Sequence, residues 1–180
     1  DDIAVLAGSG ASVVHNPGSN LRLWNGIAPV SRLLEAGVPV ALGTDNAGVA
    51  DDEDLFAEMK QMAVLSRVRG GARLDAGALL SAVTVNGARA MQRPDALGRI
   101  APGLPADLVA IDTGFARGAF LDPDTDLADA LAFRARGRDA RLTMVAGRVL
   151  WRDGAHTALD RSAAERDAAQ AANAARLSSD

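Results

Sequence analysis

The stretch from residue 11 to residue 46 constrains this chain most: two short apolar runs there end in polar, chemistry-bearing residues and enclose one helix. Residues 12–14 and 38–42 read as buried strands. His15-Asn16 follows the first and Thr44-Asp45-Asn46 follows the second. Between them Pro29 opens a helix on which Val30, Leu33 and Leu34 share a face, and Gly37 closes it. Strand, loop, helix, strand predicts a parallel pair with a right-handed crossover. His15 and Asp45 then stand at the carboxyl ends of adjacent strands, where α/β folds assemble their sites. A carboxylate after an apolar strand and Gly-Thr suits a metal ligand or a general base. It equally suits a cap on the next helix, and His15 equally suits a turn.

Composition removes several function classes. The chain has 180 residues, 48% apolar and 23% charged, with a net charge of −4, which is a soluble globular composition with core enough for one domain or one and a half. No apolar run approaches the roughly 20 residues of a membrane span, and no signal peptide is visible, so neither a membrane nor secretion is expected and the compartment expected is the cytoplasm. Zero cysteines exclude disulfides, thiolate zinc sites and cysteine nucleophiles. Mild acidity, scattered arginines and only 3% aromatics argue against nucleic acid as a partner.

Along the rest of the chain, Asp1-Asp2 caps a short helix that Gly8 and Gly10 end. Asp51-Asp52-Glu53-Asp54 precedes Leu55, Phe56, Met59, Met62 and Ala63 at helical spacing. The acidic run reads as a solvated helix start, with Asp51 or Asp52 at a substrate pocket as the alternative. Asp75 is expected to cap a helix with Leu79, Leu80, Val83 and Met91 on its apolar face, while Thr84 and Asn86 brace backbone. Asp107, just before the apolar run 108–111, reads as a turn brace or a helix cap rather than a catalytic acid. Asp122-Pro123-Asp124-Thr125-Asp126 is a turn cluster, and residues 127–133 a helix. Residues 142–151 form a hairpin about Ala146-Gly147, followed by a turn at Asp153-Gly154. His156 reads as a surface residue, and Ser162-Ala-Ala-Glu165 as a capping box opening an alanine-rich helix to about residue 177.

Four segments carry a family resemblance: His15-Asn16-Pro17-x-Ser19-Asn20, Gly26-Ile-Ala-Pro29-Val, Leu34-x-Ala-Gly37-Val and Gly43-Thr44-Asp45. In this order they resemble the amidohydrolase superfamily, and within it the aminohydrolases of nitrogen heterocycles: guanine and methylthioadenosine deaminases and triazine hydrolases. Residues 82–90 resemble that family's Ala-Thr-x-Asn-Gly-Ala-x-Ala helix, residues 97–112 its Gly-x-Ile-x-x-Gly-x-x-Ala-Asp-Leu-Val segment, and residues 145–154 its hairpin ending.

The resemblance implies an α/β fold made of the last two βα units of a TIM-like (β/α)8 barrel, then part of a small β domain and a C-terminal helix. The barrel portion would be residues 1–95, the β portion 96–158 and the helix 159–180. A complete barrel needs about 250 residues, so a missing N-terminal portion of the same protein is implied, and the small sheet would be left with an exposed edge. The resemblance further implies one divalent metal, zinc or iron, with Asp45 as a ligand and proton acceptor and the histidine ligands outside this chain. Metal-activated hydroxide would deaminate or dehalogenate a small heterocycle such as a purine, pterin or triazine. His15, Asn20 and Asn46 would line the substrate pocket. Asn46 departs from the glycine common there in deaminases, which leaves the heterocycle open. With two histidines the isolated chain is expected to be inactive, and the complete protein a homo-oligomer. Two rival readings remain: a cyclic amidase of the same superfamily, and a non-catalytic structural or complementing fragment.

Overall fold

The computed structural model describes residues 1–46, 48–49, 52–68, 70–116 and 124–177, which divide into two units. The first unit comprises residues 1–105 and 112–139. It opens with α1 (Asp2–Ser9), where Asp1 Oδ1 accepts the Ile3 N–H at 3.2 Å and Gly10, at φ 72°, ends the helix. Strands β1 (Val13–His15) and β2 (Val40–Leu42) pair in parallel, Val13 opposite Val40 and His15 opposite Leu42. The connection carries α3 (Val30–Glu35), closed by Gly37 at φ 78° as its punctuation predicts. It also carries α2 (Pro17–Arg22), which the sequence reading left as loop.

Every residue of β2 is buried, because α3, α4 (Leu55–Val68), α5 (Ala76–Val83) and α6 (Val85–Ala90) all pack on it. Met59, Met62 and Leu79 are the largest of the fully buried apolar side chains in this core, and each contributes about 1.5–3 kcal/mol through burial. Helix α4 starts where the acidic run ends: Asp54 Oδ1 accepts the Phe56 N–H at 2.9 Å, and its Oδ2 accepts the Gly137 N–H at 2.8 Å. Asp51 lies outside the described residues. Helix α7 (Leu127–Arg134), capped by Asp126, packs on α4 and α5, so residues 112–139 cluster with this unit. Asp122 and Pro123 of the expected turn cluster also lie outside the described residues.

The helix expected from Asp75 to Met91 is two helices. Asp75 caps α5 as predicted, its Oδ1 accepting the Ala78 N–H at 2.7 Å. The helix then breaks at Thr84 (φ −126°, ψ −95°), whose hydroxyl donates to the Leu80 carbonyl at 2.7 Å and competes with the backbone ladder. The break turns Met91 out to 63% exposure instead of onto an apolar face. It also aims Asn86 Nδ2 at the Val40 carbonyl, 3.0 Å away, so this side chain braces β2.

The second unit, residues 106–111 and 140–180, is built on an antiparallel sheet in the order β3 (Leu108–Ile111), β4 (Ala140–Val145), β5 (Arg148–Arg152), β6 (Ala155–His156). Both turns place two successive residues at positive φ, Ala146-Gly147 (48°, 79°) and Asp153-Gly154 (46°, 90°), the geometry that suits strand twist. Asp107 Oδ1 accepts the Ala146 N–H at 2.7 Å, so of the two roles expected of it the structure shows the turn brace. Among the described residues β3 pairs on one side only. His156 is exposed, its ring 4.9 Å from that of Trp151. Helix α8 (Arg161–Leu177) is capped by Asp160, which accepts from Ala163 N at 3.0 Å. The expected box from Ser162 to Glu165 does not form, because the chain enters the helix two residues earlier and Glu165 pairs with Arg161 at 2.7 Å. From Arg161 to Arg176 only Ala163 and Ala164 are half-buried.

Candidate active site

The parallel pair is tied together just beyond its carboxyl ends. The Gly43 N–H donates to the His15 carbonyl at 3.1 Å. With its amide oriented to satisfy the network, Asn16 Nδ2 donates to the carbonyls of His15 (3.3 Å) and Gly43 (3.1 Å). A Cβ at position 43 would lie 2.5 Å from the end of that side chain, so a larger residue there would displace the Asn16 amide.

Asp45 follows with φ 64°, a left-handed conformation that aspartate tolerates better than most residues. It is exposed, yet both carboxylate oxygens are engaged: Oδ2 accepts from the Ser19 hydroxyl at 2.6 Å and Oδ1 from the Asn46 N–H at 3.0 Å. Asn46 is exposed, and its side-chain oxygen accepts the Gly48 N–H at 2.9 Å, bracing its own loop. Asn20 is half-buried, and its backbone closes α2 on both sides through Asn16 and Asn25 at 2.9 Å.

His15 is 3% exposed, and its Nε2 is buried without a hydrogen-bond partner. Burial holds its imidazole pKa below the ordinary value, which favours the neutral ring. An unpaired buried nitrogen costs about 1–3 kcal/mol, and such a group calls for an explanation beyond packing.

Two residues that the sequence reading passed over complete the arrangement. Ser19 sits on α2, 3% exposed, and is the donor to Asp45. Glu58 sits on α4, 4% exposed, and its Oε2 accepts the Gly18 N–H at 2.9 Å. Burial pushes the Glu58 carboxyl pKa up, the Gly18 amide pulls it down, and the charge of Asp52 pushes it up again. A Cβ on residue 18 would lie 2.5 Å from Glu58 Oε1, so any larger residue there would displace the carboxylate from this position. A carboxylate directly before Met59 on the core face of α4 was the available signal for Glu58. Its partner lies 40 residues away and leaves no local trace. Gly18, Arg22, Val49, Asp52, Glu58 and Gln61 are among the residues lining a cavity of about 430 Å³ beside α2.

Among the described residues no group of three or more His, Cys, Asp or Glu side chains converges to hold a metal. An exposed carboxylate with a fixed orientation fits the part of one ligand in a larger set, since metal sites use about three or four protein ligands.

The profile of the amidohydrolase family matches residues 1–150. A 5-methylthioadenosine/S-adenosylhomocysteine deaminase of Nitratidesulfovibrio vulgaris is 40% identical over 162 residues, 89% of this chain and 36% of that protein. A zinc-bound adenosine deaminase from Xanthomonas campestris superposes with a TM-score of 0.89 at 32% identity, over 98% of this chain and 40% of that one. An atrazine chlorohydrolase from Arthrobacter aurescens in complex with zinc superposes with a TM-score of 0.79 at 27% identity, over 94% of this chain and 37% of that one. The chain thus spans less than half the length of the proteins it resembles, but the match runs through both strands, Asp45 and the hairpin. The chain belongs to the amidohydrolase family.

Proposed function

We propose that this chain is the C-terminal part of a metal-dependent aminohydrolase that replaces the amino group of a nitrogen heterocycle, in the first place an adenine-type purine, with oxygen from water. In this reading β1 and β2 are the last two strands of a (β/α)8 barrel. The barrel portion runs to residue 95, the small β portion from 96 to 158 and the terminal helix from 159 to 180. The observation that carries the reading is Asp45: an exposed carboxylate just past the carboxyl end of a buried parallel strand, its orientation fixed by Ser19 at 2.6 Å. The deaminase names of its relatives favour the purine over the pterin or triazine.

Asp45 would be one ligand of a divalent metal, zinc or iron, with the others supplied by the N-terminal portion. Such an ion lowers the pKa of water enough to make a nucleophile near neutral pH. Asp45 accepts the proton of the attacking water on a carboxylate oxygen. The water oxygen adds at the ring carbon bearing the amine, the proton held by Asp45 passes to the departing nitrogen, and ammonia leaves as the C–N bond breaks and the ring becomes a lactam. His15, its neutral ring favoured by burial, offers Nε2 as a hydrogen-bond partner at the pocket wall, with Asn20 on α2 and Asn46 on the loop after β2. The isolated chain, lacking the other ligands, is inactive in this account, and the complete protein is a cytoplasmic homo-oligomer.

The test is ammonia release from aminopurine nucleosides by the chain joined to its upstream portion, with and without Asp45→Ala. Turnover that disappears with Asp45→Ala supports the reading. Turnover retained by Asp45→Ala, or ring opening without ammonia, overturns it.

A further inference from the structure

We propose that Ser19 and Glu58 form a two-step clamp that positions Asp45 for the metal, with Glu58 acting through Ser19 and neither touching the substrate. The inference rests on the reading of Asp45 given above. An exposed aspartate at φ 64° has several side-chain rotamers open to it, and nothing in β2 itself selects one. The Asn46 N–H donates to Oδ1 at 3.0 Å from the same loop, and the contact that holds the other oxygen comes from α2. Ser19 is 3% exposed and its hydroxyl reaches Asp45 Oδ2 at 2.6 Å, so one carboxylate oxygen is pinned from the protein side.

A six-residue helix cannot hold that hydroxyl unaided, because short helices are marginal without tertiary support. The support is Glu58, on the longer and well-packed α4. Its carboxylate takes the N–H of Gly18, the residue directly before Ser19, at 2.9 Å. A side chain at position 18 would have to displace that carboxylate. A buried carboxylate is an expensive way to hold one amide, and the amide it holds is that of the residue directly before Ser19. Its use beside Ser19 points to orientation as the gain. Residues that orient a metal ligand through one hydrogen bond act on affinity by about 10–100-fold.

The experiment uses the complete protein and measures the dissociation constant for Zn²⁺ by chelator competition, together with the absorption spectrum of the Co²⁺-loaded form. Ser19→Ala should weaken Zn²⁺ binding about 10–100-fold and alter the Co²⁺ spectrum. Glu58→Ala should weaken it about tenfold, whereas Glu58→Gln, whose amide oxygen still accepts from Gly18, should stay within about twofold. The double variant Ser19→Ala/Glu58→Ala should bind no worse than Ser19→Ala alone, because the two act in series. Melting of the metal-free proteins separates this from a loss of fold. Zn²⁺ bound equally by Ser19→Ala and the unsubstituted protein overturns the clamp alone, as do multiplying losses in the double variant. An unsubstituted protein that binds no Zn²⁺ overturns the proposed function and the clamp with it.

Discussion

Replacing His15 with leucine should raise the stability of the chain and flatten its response to acid. The imidazole is 3% exposed with Nε2 unpaired, so the folded state carries a desolvation cost of about 1–3 kcal/mol that leucine removes at the expense of some shape mismatch. The pH response follows from linkage. Burial lowers the folded-state pKa, while the unfolded chain keeps the ordinary value of about 6.5. Between those two values the unfolded chain binds a proton that the folded chain does not, so stability falls as pH drops below about 6.5, with a slope of at most about 1.4 kcal/mol per pH unit. Glu58 works with the opposite sign. Its raised pKa contributes stability at acid pH that is lost as pH rises through the folded value, so the wild-type curve is a sum of opposing slopes. Urea unfolding of wild type and His15→Leu from about pH 7.5 to about pH 5 isolates the histidine in the difference between the two curves. Parallel curves, or a leucine variant weaker at every pH, would refute the reasoning.

Other substitutions test the frame around the site. Asn86→Ala leaves the Val40 carbonyl without its donor and should cost about 1–3 kcal/mol in urea unfolding. Gly43→Ala sets a Cβ 2.5 Å from the Asn16 amide and should cost about 1–3 kcal/mol, read as a lowered melting temperature that Asn16→Ala relieves in the double variant. Met62→Ala, at a fully buried position, should cost about 2–5 kcal/mol without changing the far-ultraviolet circular dichroism of the folded state.

Much of the frame was legible because it is written in local chemistry. Pro29 and Gly37 bracket α3, Asp75 precedes an apolar helical face, and Asp107 stands before a strand at a turn. Each is a backbone requirement that one residue type meets. Helix α2 was not legible, since Asn-Pro-Gly-Ser-Asn is turn chemistry, and what supports a helix there comes from afar: Glu58 on the Gly18 amide and Asp45 on the Ser19 hydroxyl. The break at Thr84 escaped because its flanks keep helical spacing, and the choice is made by Asn86 reaching the Val40 carbonyl 46 residues away. The same holds at the site. Asp45 and His15 stand out by their position after strands. Ser19 and Glu58 matter through contacts 26 and 40 residues distant, which no periodicity records.

The most direct test of the account is the metal content of the complete protein with aspartate and with alanine at position 45. The account predicts about one divalent metal per chain in the unsubstituted protein and a loss of most of it in Asp45→Ala. An Asp45→Ala protein that is folded and holds the full complement of metal would contradict it.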